Sequence, residues 1–355
     1  MKIGGYEVEG KIGEEDYERV VKEFGASLID RKLAEKIGHP LVPGFFFAHR
    51  DLDQIIEGKF AIVSGRGPSM HMHLGHLLVF KFVKFLQDKF GAFVFIPFSD
   101  DEKLLTRNLK FEDVIRMDYE NLLDIIAIGF EPENTEIILD LVNMKQSIYN
   151  LAVKISGRIT ASTVRSALGL SPEHNIGAHF YPAMQAAHIL YPTSEYGMRV
   201  LVPIGLDQDV FVKLTRDVAP KVGLEKPGDI LSKFLPGLTG GKMSSSKPET
   251  AIYTTDSPEE VKVKIMNAFT GGQATVEEQR KKGGRPEICP VYHYHAIFFG
   301  KREIYEKCRS GELICGDCKK ELIAEINRML REHQKRREKA REKVEKFVPG
   351  ITRYL

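Results

Sequence analysis

The sequence predicts an α/β fold, with a Rossmann-type parallel sheet first and a helical carboxyl-terminal domain after it. Three observations carry this expectation. Short apolar runs closed by turn residues recur at Phe60-Ala61-Ile62-Val63, Ala92-Phe93-Val94-Phe95-Ile96 and Met198-Arg199-Val200-Leu201-Val202-Pro203-Ile204, as buried parallel strands do. Between the first two, Val79, Phe82, Val83, Leu86 and Phe90 make one helical stripe, with Lys81, Lys84 and Asp88 turned away and Gly91 ending it. Beyond Asp256 the pattern is helical almost throughout.

Taken in order, residues 1–58 are mixed and mostly polar, with helical patterns over Glu14 to Phe24 and Leu28 to Lys36, and read as an amino-terminal extension. Strand, helix and strand from Lys59 form a βαβ unit, whose ligand crevice lies at the carboxyl ends of the strands. That places the Ser64 to His76 loop over a binding site. Leu104 to Tyr191 is largely helical in pattern and reads as an insertion, about 104–191, within a sheet domain of residues 59–256. Ser257-Pro258-Glu259-Glu260 is a helix start, with a serine N-cap, proline at the first helical position and acids in the first turn. A long charged helix from Lys319 to Lys346 is closed by Pro349-Gly350, giving a helical domain of 257–345 and a tail of 346–355.

Length and composition bound the function classes. The chain has 355 residues, 43% hydrophobic and 28% charged, which excludes disordered, collagenous and disulfide-scaffold proteins and leaves room for two domains. No apolar run reaches the roughly 20 residues that span a bilayer, and Met1 to Tyr6 lacks a secretory pattern, so the expected location is cytoplasmic with no membrane partner. Four cysteines are too few for a disulfide framework. The net charge of +2 hides an uneven distribution, because Lys319 to Lys346 holds 11 Lys or Arg against 6 Glu. Such a helix is either a solvated face laced with ion pairs or a source of phosphate contacts.

Two motifs carry chemistry. His73-Leu74-Gly75-His76 opens the first helix after the Gly65-Arg66-Gly67-Pro68 turn, setting two imidazoles on one face beside unpaired backbone N–H groups that favour anions. Gly75 leaves room for a flat base to approach the backbone. Far downstream, Lys242-Met243-Ser244-Ser245-Ser246-Lys247-Pro248 follows Thr239-Gly240-Gly241. Lysines and hydroxyls on a loop supply the charge and donors that a developing pyrophosphate needs.

With both motifs in this order, the sequence resembles the class I aminoacyl-tRNA synthetases, with His73 to His76 as the HIGH motif and Lys242 to Ser246 as KMSKS. Within that class it resembles the tryptophanyl enzymes of the archaeal and eukaryotic type. Further residues carrying the resemblance are Phe47-Ala48-His49-Arg50-Asp51, Gly65-Arg66-Gly67-Pro68-Ser69, Asp100-Asp101-Glu102-Lys103, Pro182 to Ala187, Asp207-Gln208-Asp209, Thr215 to Pro220 and Ala268 to Gly272. The resemblance implies a Rossmann catalytic domain, a helical anticodon-binding domain and a homodimer. It also implies ATP with Mg²⁺, L-tryptophan and tRNA(Trp) as reactants, by way of a tryptophanyl-adenylate.

Carried over by position, the resemblance gives His73 and His76 contacts to ATP phosphates and Lys242, Ser244 and Ser246 the pyrophosphate. Gly65, Arg66, Gly75, Lys103, Gly205, Asp207 and Met243 fall at ATP-binding positions, and Glu102, Gln185 and Gln208 at positions gripping the amino acid. The chain also departs from the pattern. Family members commonly place tyrosine and glutamine at the positions of Val63 and Pro97, where they recognise the indole N–H. The turn between Pro68 and His73 is one residue shorter than in the eukaryotic enzymes, and Ser245 stands for the second lysine of KMSKS, with Lys247 close by.

The alternatives are a tyrosyl-tRNA synthetase, which shares both signatures, and a catalytically inactive synthetase-like protein that binds RNA. A small-molecule adenylyltransferase would share only the first motif. Cys315-Gly316-Asp317-Cys318 has zinc-ligand spacing, with Cys289 and Cys308 upstream, yet free thiols and no metal are the expectation. His293 and His295 read as residues lining a helical core or its rim.

Overall fold

The computed structural model describes residues 17, 21, 23, 25–107, 109–241, 243 and 247–355. Most of the helix expected over Glu14 to Phe24 lies outside the described residues. The chain divides into two compact units, one comprising the chain through Met70, Val79–Lys233 and Ala340–Leu355, the other His71–Leu78 and Phe234–Lys339.

The first unit is built on a sheet of seven strands: β1 Ser27–Leu28, β2 Phe46–Arg50, β3 Phe60–Val63, β4 Phe93–Phe98, β5 Thr135–Leu139, β6 Arg199–Gly205 and β7 Gly228–Ser232. Their order is β1-β2-β7-β6-β3-β4-β5. The five strands from β7 to β5 are parallel, and β2 and β1 add an antiparallel edge. The chain leaves β3 for β4 and β5 on one side, then returns to β6 and β7 on the other. Between β3 and β6 the strand order therefore reverses, which is where an open α/β sheet binds its ligand.

The expected helix between β3 and β4 spans Leu74–Phe90, and Phe82, Val83 and Leu86 of its stripe are buried. Phe82 stacks on Phe46 of β2 at 3.8 Å between ring centroids. On a second core, Val63 and Phe95 pack with Ile148, Ile155, Met184 and Tyr191, which come from helices Gln146–Ser156 and Ile176–Tyr196. Burying each such side chain contributes about 1.5–3 kcal/mol before the chain entropy is set against it.

Four strands departed from the sequence reading. β5 lies inside the segment read as a helical insertion, β7 follows the last strand read, and β1 and β2 lie in the segment read as an extension. β2 and β7 share one cause. The paired residues Arg50 and Asp229 are both buried, the guanidinium meeting Asp229 at 2.6 Å and Asp209 at 2.7 Å. Charges neutralised by distant partners hide the apolar signature of a buried strand.

The second unit is mainly helical. Helix Pro258–Met266 begins as expected, Ser257 Oγ accepting from Glu260 N–H and Glu260 accepting from Ser257 N–H. The charged helix runs Cys315–Ala340. The Gly271 turn is packed so closely that a Cβ there would lie 1.9 Å from the Arg285 carbonyl oxygen, itself backbone. Gly271→Ala should therefore cost about 1–3 kcal/mol and lower the thermal midpoint, while Gly316→Ala, with nothing within 4 Å, should not. Equal midpoints for the two variants in differential scanning calorimetry would refute this packing.

Candidate active site

In the first unit the residues after β3 stay in register with β4. Ser64 N–H donates to Phe95 O at 3.1 Å and Arg66 N–H to Pro97 O at 2.8 Å. This draws Gly65 against the Pro97 backbone, where a Cβ would lie 3.4 Å from the carbonyl oxygen. Pro97 suits the arrangement, since its carbonyl accepts and it has no N–H to satisfy.

Arg66 turns inward. Its Nε donates to Asn121 Oδ1 at 2.7 Å and a terminal nitrogen to Ser69 Oγ at 2.5 Å. The guanidinium is buried, which brings its pKa down to about 10, with Asp124 and Asp118 opposing the fall. Lys103 comes to the same turn, its ammonium 3.2 Å from where a Gly67 Cβ would stand. It pairs at 2.6 Å with Glu102, which is buried and also accepts from Thr106 Oγ1 at 2.7 Å.

Across the strand reversal, β6 ends at Gly205 and runs into the short 3-10 turn Leu206–Gln208, which carries Asp207 and Gln208. A Cβ on Gly205 would stand 2.7 Å from Asp207 Oδ1, so the missing side chain leaves that carboxylate its place. Gln185, on helix Ile176–Tyr196, holds its Oε1 buried with no hydrogen-bond partner among the described residues. An acceptor left in that state is suited to a bound donor.

Residues beyond the motifs join this unit's polar interior. Oxygens of Asp100, Asp101 and Asp140 lie within 4.8 Å of one another. Asp140 meets His188 Nε2 at 2.8 Å, and Asp100 accepts from Leu141 N–H at 3.2 Å. Asp118, Asp140 and His188 carried no signal in the sequence, because the chain segments bearing them meet only in the fold.

Burial pushes Asp101 up to about 7 and Asp100 up to about 6, the first with help from Asp140. Burial and then Asp100 push Asp118 up to about 10. Burial also brings His188 down to about 4. A raised carboxyl pKa stabilises the fold fully below its ordinary value near 3.8, and that contribution is lost as pH rises through about 7. The lowered His188 acts oppositely, with its contribution whole above about 6.5 and lost as pH falls through about 4. Asp101→Asn removes the first effect, so its urea midpoint should gain on the parent's between about pH 4 and about pH 8. A difference constant with pH would contradict the assignment.

In the second unit the first signature meets the chain that follows the second. Residues Met72 to Leu74 pair antiparallel with Ile252 to Thr254: Leu74 N–H donates to Ile252 O at 2.9 Å, Thr254 N–H donates to Met72 O at 2.9 Å, and His73 bridges to Tyr253. The His73 and His76 rings stack at 3.6 Å, 16° from parallel. A Cβ on Gly75 would lie 3.0 Å from the His73 ring and 3.6 Å from Met243 Sδ, so the buried Met243 sets its loop against the first motif. Lys242, Ser244 and Ser246 lie outside the described residues. Among the described residues on either side, Gly237 N–H donates to Gly241 O at 2.6 Å and Thr250 N–H to Lys247 O at 2.9 Å.

The basic helix spends part of its charge internally. Lys319 Nζ donates to the Met266 and Ala268 carbonyls at 2.7 and 2.8 Å, capping the end of helix Pro258–Met266. Gln334 holds the Thr254 and Asp256 carbonyls at 2.9 and 3.1 Å. The paired imidazoles beside Gly75, with the Met243 side chain set against them, suit binding of a phosphate group.

Comparison with known proteins agrees with this chemistry. Residues 56–331 match the family described as tRNA synthetases class I (W and Y). The chain is 45% identical to a tryptophan–tRNA ligase of Thermococcus onnurineus, covering 98% of this chain and 94% of that protein. It is 42% identical to one of Pyrobaculum calidifontis, covering 96% of each. Among solved structures, the tryptophanyl-tRNA synthetase of Aeropyrum pernix superposes with a TM-score of 0.88 at 36% identity, over 94% of this chain and 96% of that one.

Proposed function

The chain belongs to the class I tRNA synthetases of the W and Y group, and from that membership we propose that it is a tryptophan–tRNA ligase. It couples two displacements. A carboxylate oxygen of tryptophan attacks the α-phosphorus of Mg·ATP and pyrophosphate leaves, forming the adenylate. A ribose hydroxyl of the terminal adenosine of tRNA(Trp) then attacks the acyl carbonyl and AMP leaves. No enzyme-bound covalent intermediate is needed, so catalysis rests on positioning and on stabilising phosphate charge.

The observation that carries this reading is the apposition of His73-Leu74-Gly75-His76 with the loop of Met243 through the Met72–Leu74 and Ile252–Thr254 pairing. His73 and His76 are assigned to the phosphates of ATP, and Lys242, Ser244 and Ser246 to the departing pyrophosphate. Gly65, Gly205 and Asp207 are assigned to the adenosine, with Lys103 reaching the phosphates and Arg66 bracing the turn that carries Gly65. Glu102, Gln185 and Gln208 take the amino acid. Asp100 and Asp140 bond inward and hold raised carboxyl pKa values. They do not fit a resident Mg²⁺ site, so the ion enters as part of the nucleotide substrate.

The fold of the proposal follows the sequence boundaries, a catalytic domain of 59–256 and an anticodon-binding domain of 257–345, acting as a cytoplasmic homodimer. No described helix is long and apolar enough to cross a membrane.

ATP–pyrophosphate exchange tests the reading, with tryptophan and tyrosine offered in parallel and charging of tRNA(Trp) measured after. The chain contains no tryptophan, so fluorescence of the bound amino acid stands clear of protein indole. Exchange with tryptophan is expected, and it requires an acceptor other than the Val63 and Pro97 side chains for the indole N–H. Exchange with tyrosine alone would overturn the substrate, and exchange with neither would favour the RNA-binding alternative.

A further inference from the structure

All four cysteines of the chain lie between Cys289 and Cys318, and the fold gathers all four around one cavity. They arrive from three elements. Cys289 precedes helix Pro290–Phe299, Cys308 lies in helix Ile304–Arg309, and Cys315 and Cys318 occupy the first turn of helix Cys315–Ala340.

The surrounding backbone is shaped to sulfur. A Cβ on Gly272 would stand 2.6 Å from Cys315 Sγ, and one on Gly284 2.8 Å from Cys308 Sγ. Backbone N–H groups of Tyr292, Gly271 and Val291 are directed at the Cys289 sulfur, and that of Gly284 at Cys308. Small free thiols filling a core need neither close glycines nor converging donors. Ligating thiolates use both, since the donors stabilise charge on sulfur.

We propose that Cys289, Cys308, Cys315 and Cys318 ligate a thiophilic metal centre, an iron–sulfur cluster or a zinc ion. Both centres use four thiolates that include a Cys-x-x-Cys pair.

A bound metal holds such thiols deprotonated, and its binding releases their protons.

The test is the full chain purified without oxygen, with iron, acid-labile sulfide and zinc measured per chain. The parent is compared with a Cys315→Ala/Cys318→Ala double variant. Iron with matching sulfide and visible absorption, lost in the double variant, establishes a cluster. One zinc per chain, lost in the same way, establishes the single-ion form of the site.

Should the double variant fail to fold, Co²⁺ added to the apo parent chain gives the same information, because four thiolates yield intense sulfur-to-cobalt absorption. Two results overturn the proposal. One is a parent chain that binds no metal as isolated, after reconstitution with iron and sulfide, or with zinc or Co²⁺. The other is a folded double variant that keeps its metal.

Discussion

Arg50→Met is expected to lower stability by about 3–5 kcal/mol, seen as a reduced urea midpoint with the secondary structure of surviving folded protein unchanged. The guanidinium reaches two carboxylates, Asp209 at 2.7 Å and Asp229 at 2.6 Å, and all three side chains are buried. Its removal strips Asp229 in the sheet of its ion-pair partner, while Asp209, at the start of helix Asp209–Val218, keeps Lys213 at 3.3 Å. Burial pushes Asp229 up to about 6 even with Arg50 opposing the shift. The raised value means that Asp229 contributes stability at low pH and loses it as pH rises through about 6. Loss of Arg50 should therefore hurt more at pH 8 than near pH 5, where the stranded carboxyl takes a proton. An Arg50→Met protein as stable as the parent at pH 8 would refute the ion-pair account of the β2–β7 edge.

His76→Ala is expected to slow ATP–pyrophosphate exchange roughly 10-fold or more, because it removes a donor to phosphate charge that grows toward the transition state. Tryptophan affinity, followed by fluorescence, should hold, and so should the thermal midpoint. His76→Phe separates two roles of the ring. It keeps an aromatic partner for the stack with His73, at 3.6 Å in the parent, while removing the donor. A slowed exchange in both variants places the effect in phosphate stabilisation. Recovery in His76→Phe would show that the stack alone matters and would remove His76 from the reacting phosphates. Lys242→Ala should slow exchange by a similar factor.

The legible parts of the fold were those whose chemistry is local. β3, the helix after it and β4 could be read because their apolar residues are neighbours in sequence. Ser257 could be read as a cap because its partner Glu260 is three residues away. β7 could not, since its sequence Gly-Asp-Ile-Leu-Ser makes sense as a buried strand only with Arg50, 179 residues earlier, against Asp229. The same holds for the site. His73, His76 and Lys242 announce themselves as motifs, whereas the meeting of Asp140 with His188 spans 48 residues and depends on the sheet that brings them together. Arg66 was legible in position but not in direction, because Asn121 and Ser69 decide where the guanidinium points.

The pairing of Met72 with Thr254 joins residues 182 positions apart. Closing so long a loop costs entropy that local contacts cannot offset, so such contacts form late in folding. During synthesis the first signature leaves the ribosome long before its partner strand exists. A chain cut short before residue 242 therefore carries half of the phosphate site and none of its closing strand. Truncated products should be inert toward ATP, which spares the cell amino-acid adenylates made by unfinished enzyme.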